Sequence, residues 1–169
     1  AGQQKKRESL QVSITEGSFA AVTQSVFDQF LIPFAVAIKA AAVEIGFLRA
    51  VPQLFSSLVQ LFAPEIVDSV KSKKKVVIVA VLFQTLMWLP VLAIALWLRN
   101  PYALIILAAL VGLFGGLASP AWASWMGDLV EERERGSYFA KRNRINGIVA
   151  FISIIAFGLV LNHFAKLDN

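Results

Sequence analysis

KSKKKVVIVAVLFQTLMWLPVLAIALWLRNPYALIILAALVGLFGGL, residues 71–117, is the stretch that decides the fold. Lys71, Lys73, Lys74 and Lys75 open onto two apolar runs parted only by Arg99, Asn100 and Pro101. Each run, as a helix, can cross a hydrocarbon layer about 30 Å thick, which takes roughly 20 residues. A basic knot at one side and a minimal turn at the other describe a hairpin of two membrane spans.

The same reading extended along the chain gives five spans, at about 18–38, 43–66, 76–98, 101–126 and 145–165. Backbone amides in lipid must be bonded within their own segment, so helices are expected throughout. No alternating polar pattern suggests a β-barrel. The expected fold class is all-α: a polytopic integral membrane bundle, with a polar N-terminal arm over 1–17 and the bundle over 18–169.

Charge orients the bundle. Lys5, Lys6 and Arg7 precede the first span, the lysine knot parts the second from the third, and Arg133, Arg135, Lys141, Arg142 and Arg144 part the fourth from the fifth. The remaining two gaps carry only Lys39 and Arg99. Positive charge on alternate loops marks the cytoplasmic side, so a cytoplasmic N-terminus in the cell membrane is expected. Trp97 and Tyr102 then fall at the outer boundary, and Trp122 and Trp125 near the inner one.

Composition excludes several function classes. Hydrophobic residues make up 57% of the chain and the mean hydropathy is +0.68, too apolar for a soluble domain. The isoelectric point near 9.8 reflects topology rather than one basic patch, so no nucleic-acid partner is expected. There is no cysteine for disulfides or thiolate metal sites, and the lone His163 reads as an interfacial residue. No phosphate-binding loop, HExxH or GxSxG pattern occurs, so no enzyme, metal or cofactor is expected. The polar opening AGQQKKRESLQVSIT has no signal-peptide character, and the missing Met points to a processed or trimmed start.

Asp28 lies halfway along the first span, where an ionised carboxylate costs on the order of 3 kcal/mol. Gln24 and Ser25 precede it at helical spacing, giving one polar face. Such a face can bind protons or solute in a wet cavity, or can hydrogen-bond a neighbouring helix. In the second span Arg49, Gln53, Ser56 and Gln60 form a polar stripe at steps of four, three and four. Arg49 fits a cavity role or snorkelling to the interface. Glu44 suits the start of that helix, where the dipole favours a carboxylate. Gln84, Thr85 and Trp88 form a weaker polar cluster in the third span, and Asn146 and Ser153 are scattered in the fifth. Pro33, Pro52, Pro90 and Pro120 are expected to bend their spans, and Gly112, Gly115, Gly116, Ala118 and Ser119 to let a helix approach closely.

Two stretches carry a resemblance. PEIVDSVKSKKK, residues 64–75, is similar to the motif after the second helix of the major facilitator superfamily of secondary transporters, Gly-x-x-x-Asp-Arg-x-Gly-Arg-Arg/Lys. Asp68 holds the acidic position and Lys73 and Lys74 the basic end, while Pro64, Ser69, Lys71 and Ser72 depart from the pattern. SPAWASWMGDLVEERERGSYFAKRNRI, residues 119–145, resembles the fourth-helix exit and following loop of a prokaryotic branch of that superfamily, with its Pro-Ala-Trp, Asp-Leu-Val, Arg-Gly and Arg-Asn-Arg elements in order. VEIGFLRAVPQLFSSLVQL, residues 43–61, resembles that branch's second helix.

The resemblance implies a transporter of two six-helix halves that rock about a mid-membrane solute site, this chain supplying helices one to five of the N-terminal half. It also implies that Asp68, Lys71, Lys73, Asp128, Arg135, Gly136 and Arg142 belong to cytoplasmic gating loops. Asp28 lacks the fourth-helix arginine that partners such an acid in many proton-coupled members. The expected partners are the bilayer, a small solute, protons as a candidate coupling ion, and a C-terminal half or second copy. A non-transporting module packed on a partner subunit, or an inactive truncated fragment, are the alternatives that five spans leave open.

Overall fold

Helices begin and end in this chain where the backbone finds caps, and those points do not coincide with the ends of the apolar runs. A computed structural model describes residues 2–167, with side chains placed for 9–94, 97–163 and 166. The side chains of the expected Lys5–Arg7 cluster, and the chain ends at residues 1 and 169, lie outside the described residues. The helices are α1 (Gly2–Ala37), α2 (Ala42–Val70), α3 (Lys73–Leu86), α4 (Trp88–Ala93), α5 (Pro101–Leu129) and α6 (Glu132–Leu167), with a π turn over Ile94–Leu98. No strand occurs among the described residues. Five segments among them are long and apolar enough to cross a membrane, α3 and α4 together making the third.

Each connection is built from local bonds. Lys39 N donates to Val36 O and Ala40 N to Ala35 O, closing α1 as a Schellman motif with Lys39 at φ 64°. Glu44 Oε2 accepts from Ala41 N at 2.7 Å, so the acid at the start of α2 caps it as well as complementing its dipole. Ser72 Oγ accepts from Lys75 N at the start of α3. Asn100 Oδ1 accepts from Tyr102 N at 2.9 Å and Ala103 N at 3.4 Å, with Pro101 in the first turn, where its missing N–H costs nothing.

Two expectations are corrected. The third span, read as one helix over 76–98, is divided at Met87: Pro90 has no N–H to give the Leu86 carbonyl, and α3 ends there. The bonds Met87 N to Phe83 O and Val91 N to Met87 O flank the break, so it is confined to about one turn. By contrast Pro33, Pro52, Pro64 and Pro120 lie within continuous helices. The second correction concerns the expected gating loops: Asp68 lies on α2, Lys73 on α3, Asp128 on α5, and Arg135, Gly136 and Arg142 on α6, which leaves Lys71 between helices. The apolar run starts only at Ile145, but Glu132 and Glu134 stabilise a helix start at its positive end, and α6 begins there.

The chain divides into two units, Ala1–Phe34 with Leu129–Asn169, and Ala35–Asp128. Within the second, Val76, Val77 and Ala121 form a buried cluster covered by Ile66, Val67, Leu117, Trp122 and Trp125. α5 is the most enclosed helix, 33% of its most apolar window being buried, against 0% for α6. Along their membrane-crossing stretches both present apolar side chains outward, including Ile106, Ile148, Phe151 and Ile152, as a lipid-facing surface requires.

Candidate functional site

In the second unit, glycines bring backbones together. A Cβ on Gly112 would stand 2.5 Å from the Pro52 carbonyl oxygen, and one on Gly116 would stand 2.6 Å from that of Ser56. The two glycines are one turn apart on α5, as Pro52 and Ser56 are on α2, so the helices meet as a small-residue seam. Gly115 faces the Gln84 amide, whose Nε2 would lie 2.9 Å from an added Cβ. The Phe83 and Phe114 rings stack beside it with centroids 5.3 Å apart.

The α2 stripe is split by this packing. Ser56 is half-buried at the seam and its Oγ accepts from Gln60 Nε2 at 3.2 Å. Arg49, Gln53 and Gln60 are exposed along the same helix. Trp88 is half-buried just past the break at Met87.

At the end of this unit Lys73 Nζ donates to Asp128 Oδ2 at 2.6 Å, tying the start of α3 to the end of α5. The pair lies at the same ends of α3 and α5 as the Val76–Ala121 cluster. Lys71 caps α2 in the left-handed conformation, φ 52°, with its N–H donating to the Asp68 carbonyl. Asp68 and Lys71 are exposed, so Lys73 is the member of the basic run that reaches a carboxylate here.

In the first unit, Gln24 Nε2 lies 3.1 Å from each carboxylate oxygen of Asp28 and donates to them. Ser25 instead donates to the Val22 carbonyl at 3.1 Å, so the expected trio is a bonded pair beside a self-satisfied serine. On α6, Arg135 Nε donates to Val130 O, and Gly136 faces open space. Arg142 has only 15% of its side chain exposed and lies 3.9 Å from Glu16. Its guanidinium rests on Gly17, where an added Cβ would come 2.5 Å from a terminal nitrogen.

Sequence reasoning passed over Ser13, Glu16, Gly17 and Tyr138. The available signal was the four-residue spacing of Ser13 with Gly17, and of Tyr138, Arg142 and Asn146, on two helices. A helical reading of 1–17 and 132–144 would have aligned them.

Comparison with known proteins joins these observations. No curated protein and no solved structure gives a match. The family model described as Major Facilitator Superfamily matches residues 17–165, nearly the whole five-span bundle. With five membrane-crossing helical segments and this match, the chain belongs to the Major Facilitator Superfamily, a family of membrane transporters.

Proposed function

We propose that the chain is the N-terminal part of a secondary transporter that carries a small solute across the cell membrane of a prokaryote, its N-terminus cytoplasmic. Protons are the coupling ion in this reading, and Asp28 is the group that takes them up and gives them back.

The observation that carries the proposal is the bonded pair at Asp28. An ionised carboxylate in mid-span costs on the order of 3 kcal/mol, and hydrogen bonds to the charged form, such as those from Gln24, offset part of that. Proton uptake removes the charge and with it the remaining cost, so protonation and the rocking of the helices can be coupled. Arg49, Gln53, Ser56 and Gln60, with Trp88, are the polar and aromatic groups of the second unit that would recognise the solute. Lys73 and Asp128 would then work as a latch at the cytoplasmic ends of α3 and α5, with Asp68 and Lys71 as further gating residues of the same unit and Arg135, Gly136 and Arg142 as those of the first.

The test is Asp28→Asn in proteoliposomes of the full gene product, read with an internal pH dye as sugars, amino acids and organic ions are offered. The expected outcome is loss of solute-driven proton movement with normal insertion. Unchanged proton movement in that variant would refute the coupling role.

A further inference from the structure

α1 and α6 carry buried polar atoms that the transport reading does not use. Ser13 is only 7% exposed, although it sits in a segment whose composition is that of a solvated arm. Its Oγ, the Tyr138 hydroxyl and the Asn146 Oδ1 are shielded and have no hydrogen-bond partner among the described residues. Nearly all buried polar atoms in proteins are bonded, to protein or to ordered water, and a buried water typically makes about three such bonds.

Two contacts fix how these helices run. The Arg142 guanidinium rests on Gly17, and further along the Phe30 and Phe157 rings lie 6.0 Å apart. The later residue of one helix meets the later residue of the other, so α1 and α6 are parallel here. Ser13, one turn before Gly17, is therefore level with Tyr138, one turn before Arg142. Asn146 comes one turn beyond, and Ser153 is level with Asp28, just before the phenylalanine pair.

The faces agree with the levels. At about 100° per residue Ser13, Gly17, Gln24 and Asp28 fall within roughly 60° of one another on α1. Tyr138, Arg142, Asn146 and Ser153 fall within roughly 80° on α6. Their immediate neighbours Phe19, Ile148, Phe151 and Ile152 are all more than half exposed and apolar. The Gly17–Arg142 contact turns the Ser13 end of the first face and the Tyr138 end of the second towards each other.

We propose that this seam is a water site: water occupies the α1–α6 interface from the level of Ser13 to that of Asp28, about 22 Å along the helices. It gives Asp28 an aqueous route to the end of the bundle where the chain begins. Arg142 stands beside the route, and a lone arginine there would repel protons. Glu16, 3.9 Å away, offsets its charge. Proton delivery along the route rests on Asp28 being the coupling group, whereas the water does not.

The chain has no cysteine, so single cysteines can report on the seam directly. The reagent is methanethiosulfonate ethyltrimethylammonium, whose fixed charge keeps it on the side of addition, given to proteoliposomes from the side that holds the N-terminus. Asn146→Cys is compared with Ile148→Cys, and Ser153→Cys with Ile152→Cys, each pair sharing a depth. The seam positions are expected to react about tenfold faster or more, because the attacking thiolate forms only where water reaches it. Equal, slow rates within both pairs would mean a dry seam and overturn the proposal. Fast labelling of Ser153→Cys only from the opposite side would overturn the stated direction. A dry seam alongside a coupling defect in Asp28→Asn would remove the route and leave the transport reading standing. Fast labelling with normal coupling in Asp28→Asn would do the reverse.

Discussion

Each of the two units has a glycine seam, and the two use the missing side chain for opposite ends. Between α2 and α5, Gly112 and Gly116 admit backbone carbonyls, those of Pro52 and Ser56. Between α1 and α6, Gly17 admits the flexible end of a side chain, the Arg142 guanidinium. The first seam is rigid because backbone cannot retreat without moving a helix. On the two helices of the second, Ser13, Tyr138 and Asn146 carry buried polar atoms with no hydrogen-bond partner among the described residues. Transporters need both kinds of contact, one to keep helices moving as a body and one to let water reach a buried charge.

The largest break in that comparison is Gly112→Ala with Gly116→Ala. Two Cβ atoms would press on carbonyl oxygens at 2.5 and 2.6 Å. Main-chain oxygens cannot yield, so overpacking lies at the upper end of its range, about 2–3 kcal/mol at each site, and the better helix propensity of Ala returns about 1 kcal/mol at each. The expected net loss is about 2–4 kcal/mol, read as a lower midpoint of thermal unfolding in detergent micelles. A variant as stable as the parent would mean that α2 and α5 are not held in this close contact.

The rigid seam was open to sequence reasoning in a way the polar one was not. Gly112, Gly115 and Gly116 stand inside an apolar run, where clustered small residues have few uses besides close packing. Gly17 stands in a polar stretch, where a lone glycine has many. The same imbalance runs through the fold. Apolar runs announced five spans, but hydropathy says nothing of where a helix enters water, so the polar first turns of α1 and α6 read as arm and loop. The proline at position 90 marked a bend without saying that it, alone among the prolines inside spans, divides its helix; that depends on neighbouring backbone. The lysine knot could be grouped with Asp128 by charge, but choosing Lys73 from the knot needed the turn at Lys71 and the register of α3.

Tyr138→Phe sharpens the comparison by asking whether the second seam is wet. The change removes one hydroxyl and keeps the ring, which packs edge-on against Phe139 with centroids 5.3 Å apart. In a hydrated seam the hydroxyl is bonded to water, and losing it costs about 0.5–1.5 kcal/mol. In a dry seam the hydroxyl is a buried orphan, and losing it gains about 1–3 kcal/mol. A lower unfolding midpoint is the expected outcome, and a higher one would make the two seams alike.

The smallest effect belongs to Gly17→Ala, and its smallness is the point. By distance alone the new Cβ is as badly placed as at Gly112, 2.5 Å from the nearest atom in each case. The identity of that atom decides the outcome. At Gly112 it is a main-chain oxygen, fixed by its helix; at Gly17 it is the tip of an arginine that can swing aside through several rotatable bonds. The Glu16 carboxylate, 3.9 Å away and half-exposed, adds under about 1 kcal/mol to its hold. The helix gains about 1 kcal/mol from Ala, so stability, read from the unfolding midpoint, should change by less than about 1 kcal/mol in either direction. A loss as large as that of the α5 double variant would mean that the guanidinium is clamped, and that the α1–α6 seam is as rigid as the one between α2 and α5.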